Sequence, residues 1–411
     1  MQVEVEVVIV QSRYHRPAAG VDRLHGIRGR QVDPDPRDPC AVHAEIETAD
    51  TADFRVADDD HAHPGIRSER RTRAVSSPGS AAGPHGRRAC GSRTGIAPRS
   101  ERIERAVAAI ADSSRIAVGV LHRPPSPKLE PLLRATTFTL CDVPTDHIAV
   151  VEGADVDTAL RRVEQAVRYS PCASVALARL LRGTSHPDTG AGLAAEAAVY
   201  SMLLSGKEFA RWLTKRGRPR SVRWPDRPLV RIHRSDHALS IVLDHPERRN
   251  ALSSRLREEL LEALRIADVD PTVERVDIRG AGPVFCSGGD LDEFGAATDF
   301  VAAYLVRLER APWRVLDRHR DRISVHVQGA CVGAGIEMAA FATHVSADAG
   351  TVFRLPEIEM GLLPGAGGTV SVPRRIGRWR AAWMMLTGEQ IDATTALRWR
   401  LIDAIGPNPC L

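Results

Sequence analysis

Residues 322–347, RISVHVQGACVGAGIEMAAFATHVSA, read as a strand, a Gly-rich turn and a helix in succession. The same order appears upstream. VERVDIRGAG (273–282) is a buried strand, and PVFCSGGDLDEF (283–294) is a Gly-rich bend at its end that leads into a helical stretch. Residues 229–270 supply two short strands, a turn at HPERRN and an amphipathic helix. TVFRLPEIEMGLLPGAGGTVSVPRRIG (351–377) follows with loops of its own. Strand, loop and helix therefore recur along the whole carboxy-terminal half, which marks an α/β fold.

Four segments of this half, HPERRNALS (245–253), PVFCSGGDL (283–291), GACVGAGIEMA (329–339) and PEIEMGLLPGAGGT (356–369), occur in the order found in the enoyl-CoA hydratase/isomerase (crotonase) superfamily. One Gly-rich turn is common punctuation, whereas four in order are specific. The chain resembles that family over about residues 229–407. The resemblance implies a spiral of ββα units that binds an acyl-CoA and adds water to a 2-enoyl thioester, with no metal and no cofactor beyond the coenzyme A of the substrate. It also implies a homo-oligomer, trimer or hexamer, and a place in fatty acid metabolism.

The chemistry explains why such segments are needed. A thioester reacting at its acyl chain passes through an enolate-like state, and its oxygen must meet preorganised donors where water cannot screen them. Glycines let the main chain approach a ligand closely, and the start of the helix near Ala334 faces it with N–H groups. By the family's pattern the two oxyanion donors are the N–H groups of Gly289 and Ala334. Many relatives carry Gly where Ala334 stands, and a backbone donor survives that change unless the residue is forced to positive φ.

Hydration also needs one group to take a proton from water and another to deliver one to the α-carbon. Glu337 and Glu357 match the family's two glutamates: the first orients and deprotonates water, the second protonates carbon. Burial is expected to raise one of them enough to hold that proton near neutral pH. Glu359 is the rival to Glu357 if the loop register differs. Arg248 and Arg249 are candidates for CoA phosphate, being suited to bidentate contacts, with Ala251 and Asp290 beside them; Asp290 is also suited to local backbone hydrogen bonds. Cys286 and Cys331 read as buried small side chains, since no histidine motif accompanies either.

Outward from this half the reading thins. The basic, Pro-containing stretch 217–228 reads as a linker. Residues 102–216 read as a smaller α/β unit, with a helix in ERIERAVAAIADS, strands in RIAVGVL, TTFTLC and IAVVEG, a helix capped by Asp155, another opened by Pro171, and a third over 193–216. His122, His147 and His186 are dispersed and suit structural or surface roles. After VEVEVVIV (3–10), residues 1–100 mix charged runs with Pro, Gly, Arg and His; they read as disordered or as an artefactual upstream extension.

Composition narrows the function class. The apolar content is 43% but aromatics are 4%, so the core rests on aliphatic residues; the net charge is +4, with nearly all cations Arg. No aromatic residues interleave with the Arg clusters to stack bases, which argues against nucleic acid. Seven cysteines, never in a CxxC spacing, indicate neither a disulfide framework nor zinc. With no long apolar run and no signal-like start, the expectation is a cytoplasmic protein with no membrane partner.

Family members continue beyond the segment matching RLIDAIGP (400–407) with helices that cover the acyl pocket, so the resemblance reads this chain as carboxy-terminally truncated. The apolar helices of 102–216 are expected to pack over that surface. Two alternatives stay open: another reaction of the family, such as double-bond isomerisation, and a catalytically silent relative acting through protein contacts.

Overall fold

The computed structural model of the chain describes residues 5–10, 99–152, 155–183, 188–221 and 223–407. Most of the stretch 1–100 expected to be disordered lies outside them, as do Cys40, Cys90, His186 and Cys410. Within VEVEVVIV, Val5–Val10 forms strand β1, antiparallel to β2 (Ile116–Leu121) along its length.

Helix α1 (Arg99–Asp112) precedes β2, and α2 (Glu130–Ala135), β3 (Phe138–Cys141) and β4 (Val150–Glu152) follow. The sheet order is β1-β2-β3-β4, parallel from β2 onward. Helices α1 and α2 bury Ile103, Ile110, Leu132 and Leu133 on one face. The other face meets α3 (Val156–Tyr169), whose first turn is capped by the Asp155 carboxylate accepting the Thr158 N–H at 3.1 Å, and α4 (Pro171–Gly183).

The long helix expected over 193–216 is two: α5 (Thr189–Leu204) and α6 (Lys207–Arg216). The chain turns extended at Gly206 (φ −78°, ψ 152°), where a Cβ would sit 3.0 Å from the Leu203 carbonyl oxygen. The turn lets α6 pack the Trp212 ring against Phe294 with centroids 5.9 Å apart.

The carboxy-terminal half is the expected spiral. Strands β5 (Val230–Ser235) and β6 (Ala238–Leu243) form a hairpin, followed by α7 (Ser254–Val269), β7 (Arg275–Gly280), α8 (Phe300–Glu309) and α9 (Pro312–Arg318). Two turns of the spiral then place one strand in each of two layers before a helix: β8 (Ile323–Val327), β9 (Ala330–Val332) and α10 (Ala334–Ala339); then β10 (His344–Ala347), β11 (Val352–Arg354) and α11 (Gly368–Thr387). β12 (Ile391–Asp392), α12 (Ala393–Arg398) and β13 (Ala404–Ile405) close it. The large sheet runs β13-β10-β8-β7-β6-β5 and the small one β12-β11-β9.

The amino-terminal unit does not stand apart from this spiral. A continuous apolar core runs from Val118 and Phe138 through Leu177 and Leu193 to Ile336 and Met384, and the edge of the Trp383 ring meets Phe138 at 5.6 Å. Helix α11 bends at Gly377 (φ 78°), where a Cβ would lie 2.7 Å from Ile148. Helices α4 and α5 pack on α11, and α5 also packs on α8. The stretch read as a linker is pinned as well: Arg220 pairs with Asp292, and Arg255 donates to the carbonyls of Pro225 and Arg227.

Candidate functional site

Asn250 organises the first loop of the site. It sits in the left-handed region (φ 51°) after Arg249 (φ 54°). Its Oδ1 accepts the His245 N–H at 2.8 Å, and its Nδ2 donates to the carbonyls of Ala281 and Val284 at 2.9 and 2.8 Å. The HPERRN turn is thereby tied to the loop after β7. Within it, Arg248 is not the flexible surface cation expected of a phosphate ligand. Its guanidinium is forked onto Asp290 at 3.1 and 2.5 Å and reaches Asp292 at 2.7 Å, and this hydrogen bonding, first from Asp290, raises its affinity for its proton. Asp290 is buried, held by Arg248 and by the Asp292 N–H. Arg249 is exposed, and its side chain has no partner among the described residues. Ala251 is buried against the same turn.

The second loop delivers Gly289. Gly288 takes φ +96°, and at Gly289 a Cβ would lie 2.8 Å from the Phe294 ring. Neighbouring backbone groups are paired, Leu252 N–H to Gly288 O at 2.8 Å and Asp290 N–H to Leu252 O at 3.1 Å, whereas the Gly289 N–H has no acceptor among the described residues. Ala334, the first residue of α10, follows Gly333 at φ 49° and itself avoids positive φ. Its N–H is likewise without an acceptor among the described residues.

Both glutamates are buried. Glu337, in α10, is 2% exposed, and its Oε2 accepts the N–H groups of Ala366 at 2.7 Å and Gly368 at 3.0 Å. Glu357 opens the short 3-10 turn Glu357–Met360 and is 7% exposed; its Oε2 is buried with no hydrogen-bond partner among the described residues. A Cβ on Gly333 would lie 2.6 Å from Glu357 Oε1, so only glycine admits that carboxyl. Burial pushes Glu357 up to about 8. Burial, then the proximity of Glu357 and Glu196, holds Glu337 well above the ordinary carboxylate range. Two neighbouring buried carboxyls resist double ionisation. Glu337 thus takes two N–H donors on one oxygen, whereas the Oε2 of Glu357 takes none.

Gly289, Ala334, Glu337 and Glu357 all border one cavity of about 650 Å³. Glu359 does not: it lies at the surface, paired with Arg354. Cys286 and Cys331 are fully buried side by side, and burial pushes the Cys286 thiol up to about 12, so neither is a nucleophile. Of the region 295–320, residues 295–297, Ala303, Val306, Arg307 and Trp313 reach the cavity wall.

Sequence reasoning missed two residues here. Tyr200 of α5 lines the cavity, and its ring lies 3.8 Å from the Arg307 guanidinium of α8. Glu196, also of α5, is buried against the turn that carries Ala366 and Gly368. The one available signal was that Glu196 is the only charged residue in α5, a helix otherwise mostly apolar on every side, and such a helix is buried with whatever charge it carries.

The comparisons with known proteins agree on one family. The enoyl-CoA hydratase/isomerase family model matches residues 234–411. The 2,3-dehydroadipyl-CoA hydratase of Escherichia coli is 33% identical over 177 residues, 43% of this chain and 69% of that protein. The enoyl-CoA isomerase/hydratase fer4 of Mycosarcoma maydis is 32% identical over 181 residues, 42% of this chain and 66% of its own length. The chain thus spans about two thirds of the curated relatives it matches. A solved enoyl-CoA hydratase from Bacillus anthracis is 27% identical, covering 44% of this chain and 70% of that one, with a TM-score of 0.41. On its motifs, the family model and its curated relatives, the chain belongs to the enoyl-CoA hydratase/isomerase family.

Proposed function

We propose that this protein hydrates a 2-enoyl-CoA thioester. The observation that carries the reading is the cavity wall itself, where two backbone N–H groups without acceptors among the described residues and two buried carboxyls, one held by two N–H donors and one with an oxygen left free, converge. The thioester oxygen sits between the N–H groups of Gly289 and Ala334, which stabilise the enolate-like state without reorganising. Glu337, ionised, takes a proton from water as its oxygen bonds to the β-carbon. Glu357, protonated, delivers its proton to the α-carbon, so the sum is addition of one water. Arg249 offers the free guanidinium for CoA phosphate.

Double-bond isomerisation is the second reading, and one observation favours it. A single carboxyl that removes and returns a proton suffices, and Glu357 has an oxygen that no hydrogen bond ties down. Following the loss of enoyl-thioester absorbance with the full chain and with each glutamate changed to Gln separates the two. Hydration needs both carboxyls, isomerisation one.

A further inference from the structure

Glu196 is a buried carboxylate with no role in the reaction as described. It is 2% exposed, and burying a charge is costly unless its lone pairs are met. They are met. Oε1 accepts the Gly367 N–H at 2.7 Å, and Oε2 accepts the Thr369 N–H at 2.8 Å and its hydroxyl at 2.7 Å. The intervening N–H groups, of Ala366 and Gly368, go to Glu337. Four successive N–H groups thus alternate between two carboxylates, one from each half of the chain. The left-handed Gly367 (φ +90°) sits at the centre of this turn, and a Cβ on Gly368 would lie 2.5 Å from Glu337 Cγ.

We propose that Glu196 is a positioning residue for Glu337: it clamps the turn 366–369 from the far side and so fixes the two N–H groups that aim the Glu337 carboxylate into the cavity. The proposal rests on the hydratase reading. Glu196 does not border the cavity, where α5 contributes Tyr200 and Leu204, so it acts through the turn and not on substrate.

The clamp also sets charge. The groups that face Glu196 are Thr369, Arg307, Glu337 and Glu357. Burial pushes Glu196 up to about 7, against the pull of the hydrogen bonds from Thr369 and Gly367 and of Arg307. Its negative charge in turn raises Glu337 and Glu357. A neutral side chain at this position therefore lowers both, and the rate profile moves to lower pH on both limbs.

The test uses the full chain, Glu196→Gln and Thr369→Val. kcat and KM for a short 2-enoyl-CoA are measured across pH, with amide hydrogen exchange of residues 366–369. In Glu196→Gln the amide NH2 opposes donors that the carboxylate accepted. The expected result is a kcat lower by roughly 10-fold to 100-fold, as for a misplaced catalytic group, with KM little changed, both limbs at lower pH and faster exchange at 366–369. Thr369→Val, which removes one donor and keeps the fold, moves the profile the same way by less, and it carries the test alone if Glu196→Gln does not fold. A lower melting temperature with unmoved limbs and unmoved kcat overturns the proposal. If the parent hydrates nothing, the hydratase reading fails on its own; exchange then decides, faster exchange supporting the clamp and unchanged exchange overturning it.

Discussion

Glu337 accepts two backbone N–H groups through Oε2, whereas the Oε2 of Glu357, on the same cavity wall, accepts none. In the proposed hydration that asymmetry suits Glu337 to the anionic role and Glu357 to the protonated one, and the burial that the two share has a consequence for stability. Glu357 and Glu196 are raised by burial to about 8 and about 7 from an unfolded value of 4.5. Between these values the folded chain binds more protons than the unfolded one. Their stability contribution is full below 4.5 and is lost as pH rises through about 7 to 8. Thermal melts should give a lower melting temperature at about pH 9 than at about pH 6, and Glu357→Gln should flatten the decline. Paired groups such as Asp268, whose pKa is lowered by His319 and Arg318 against its burial, act in the opposite sense at acid pH, so the two windows do not overlap. A melting temperature that climbs from neutral to alkaline pH contradicts this assignment.

Arg248 and Arg249 are adjacent in sequence and opposite in circumstance. Arg248→Ala leaves Asp290 buried without its partner, which costs on the order of 3 kcal/mol. Arg249→Ala removes an exposed guanidinium and should leave the melting temperature unmoved while weakening acyl-CoA binding roughly tenfold. Melting curves and calorimetric titration with an acyl-CoA separate the two, and equal effects of both changes on stability refute the distinction.

Strand β1 tests whether the start of the chain is part of the folded unit. Val7 and Val10 are 5% and 3% exposed, and each such side chain is worth about 1.5 kcal/mol when buried. Deleting residues 1–10 also bares the edge of β2, a template for pairing between copies. The shortened chain should melt earlier and elute as larger species in gel filtration. A monodisperse product with the parental melting temperature shows β1 to be dispensable.

The legible parts of the fold and the illegible ones differ in range. Gly288, Gly333 and the GAGG loop could be read from sequence because each meets a local demand, a positive φ or a close approach, that only glycine meets. The Asp155 cap and the start of α4 at Pro171 are local too. The break at Gly206 was not legible, because a helical apolar period continues on both sides of it. The pairing of Arg248 was not legible, since its partners, Asp290 and Asp292, lie in another loop. Glu196 was missed for the same reason: its acceptor geometry is set by backbone 171 residues away, and spacing along α5 carries no trace of that.

The most direct measurement is hydration of crotonyl-CoA by the full chain, followed through loss of enoyl-thioester absorbance, beside Glu337→Gln and Glu357→Gln. Active parent protein and a kcat lowered by roughly 10²-fold to 10⁴-fold in each variant is the result that two cooperating carboxyls require. Parental hydration in either variant, or a folded parent that neither hydrates nor binds the thioester, contradicts it.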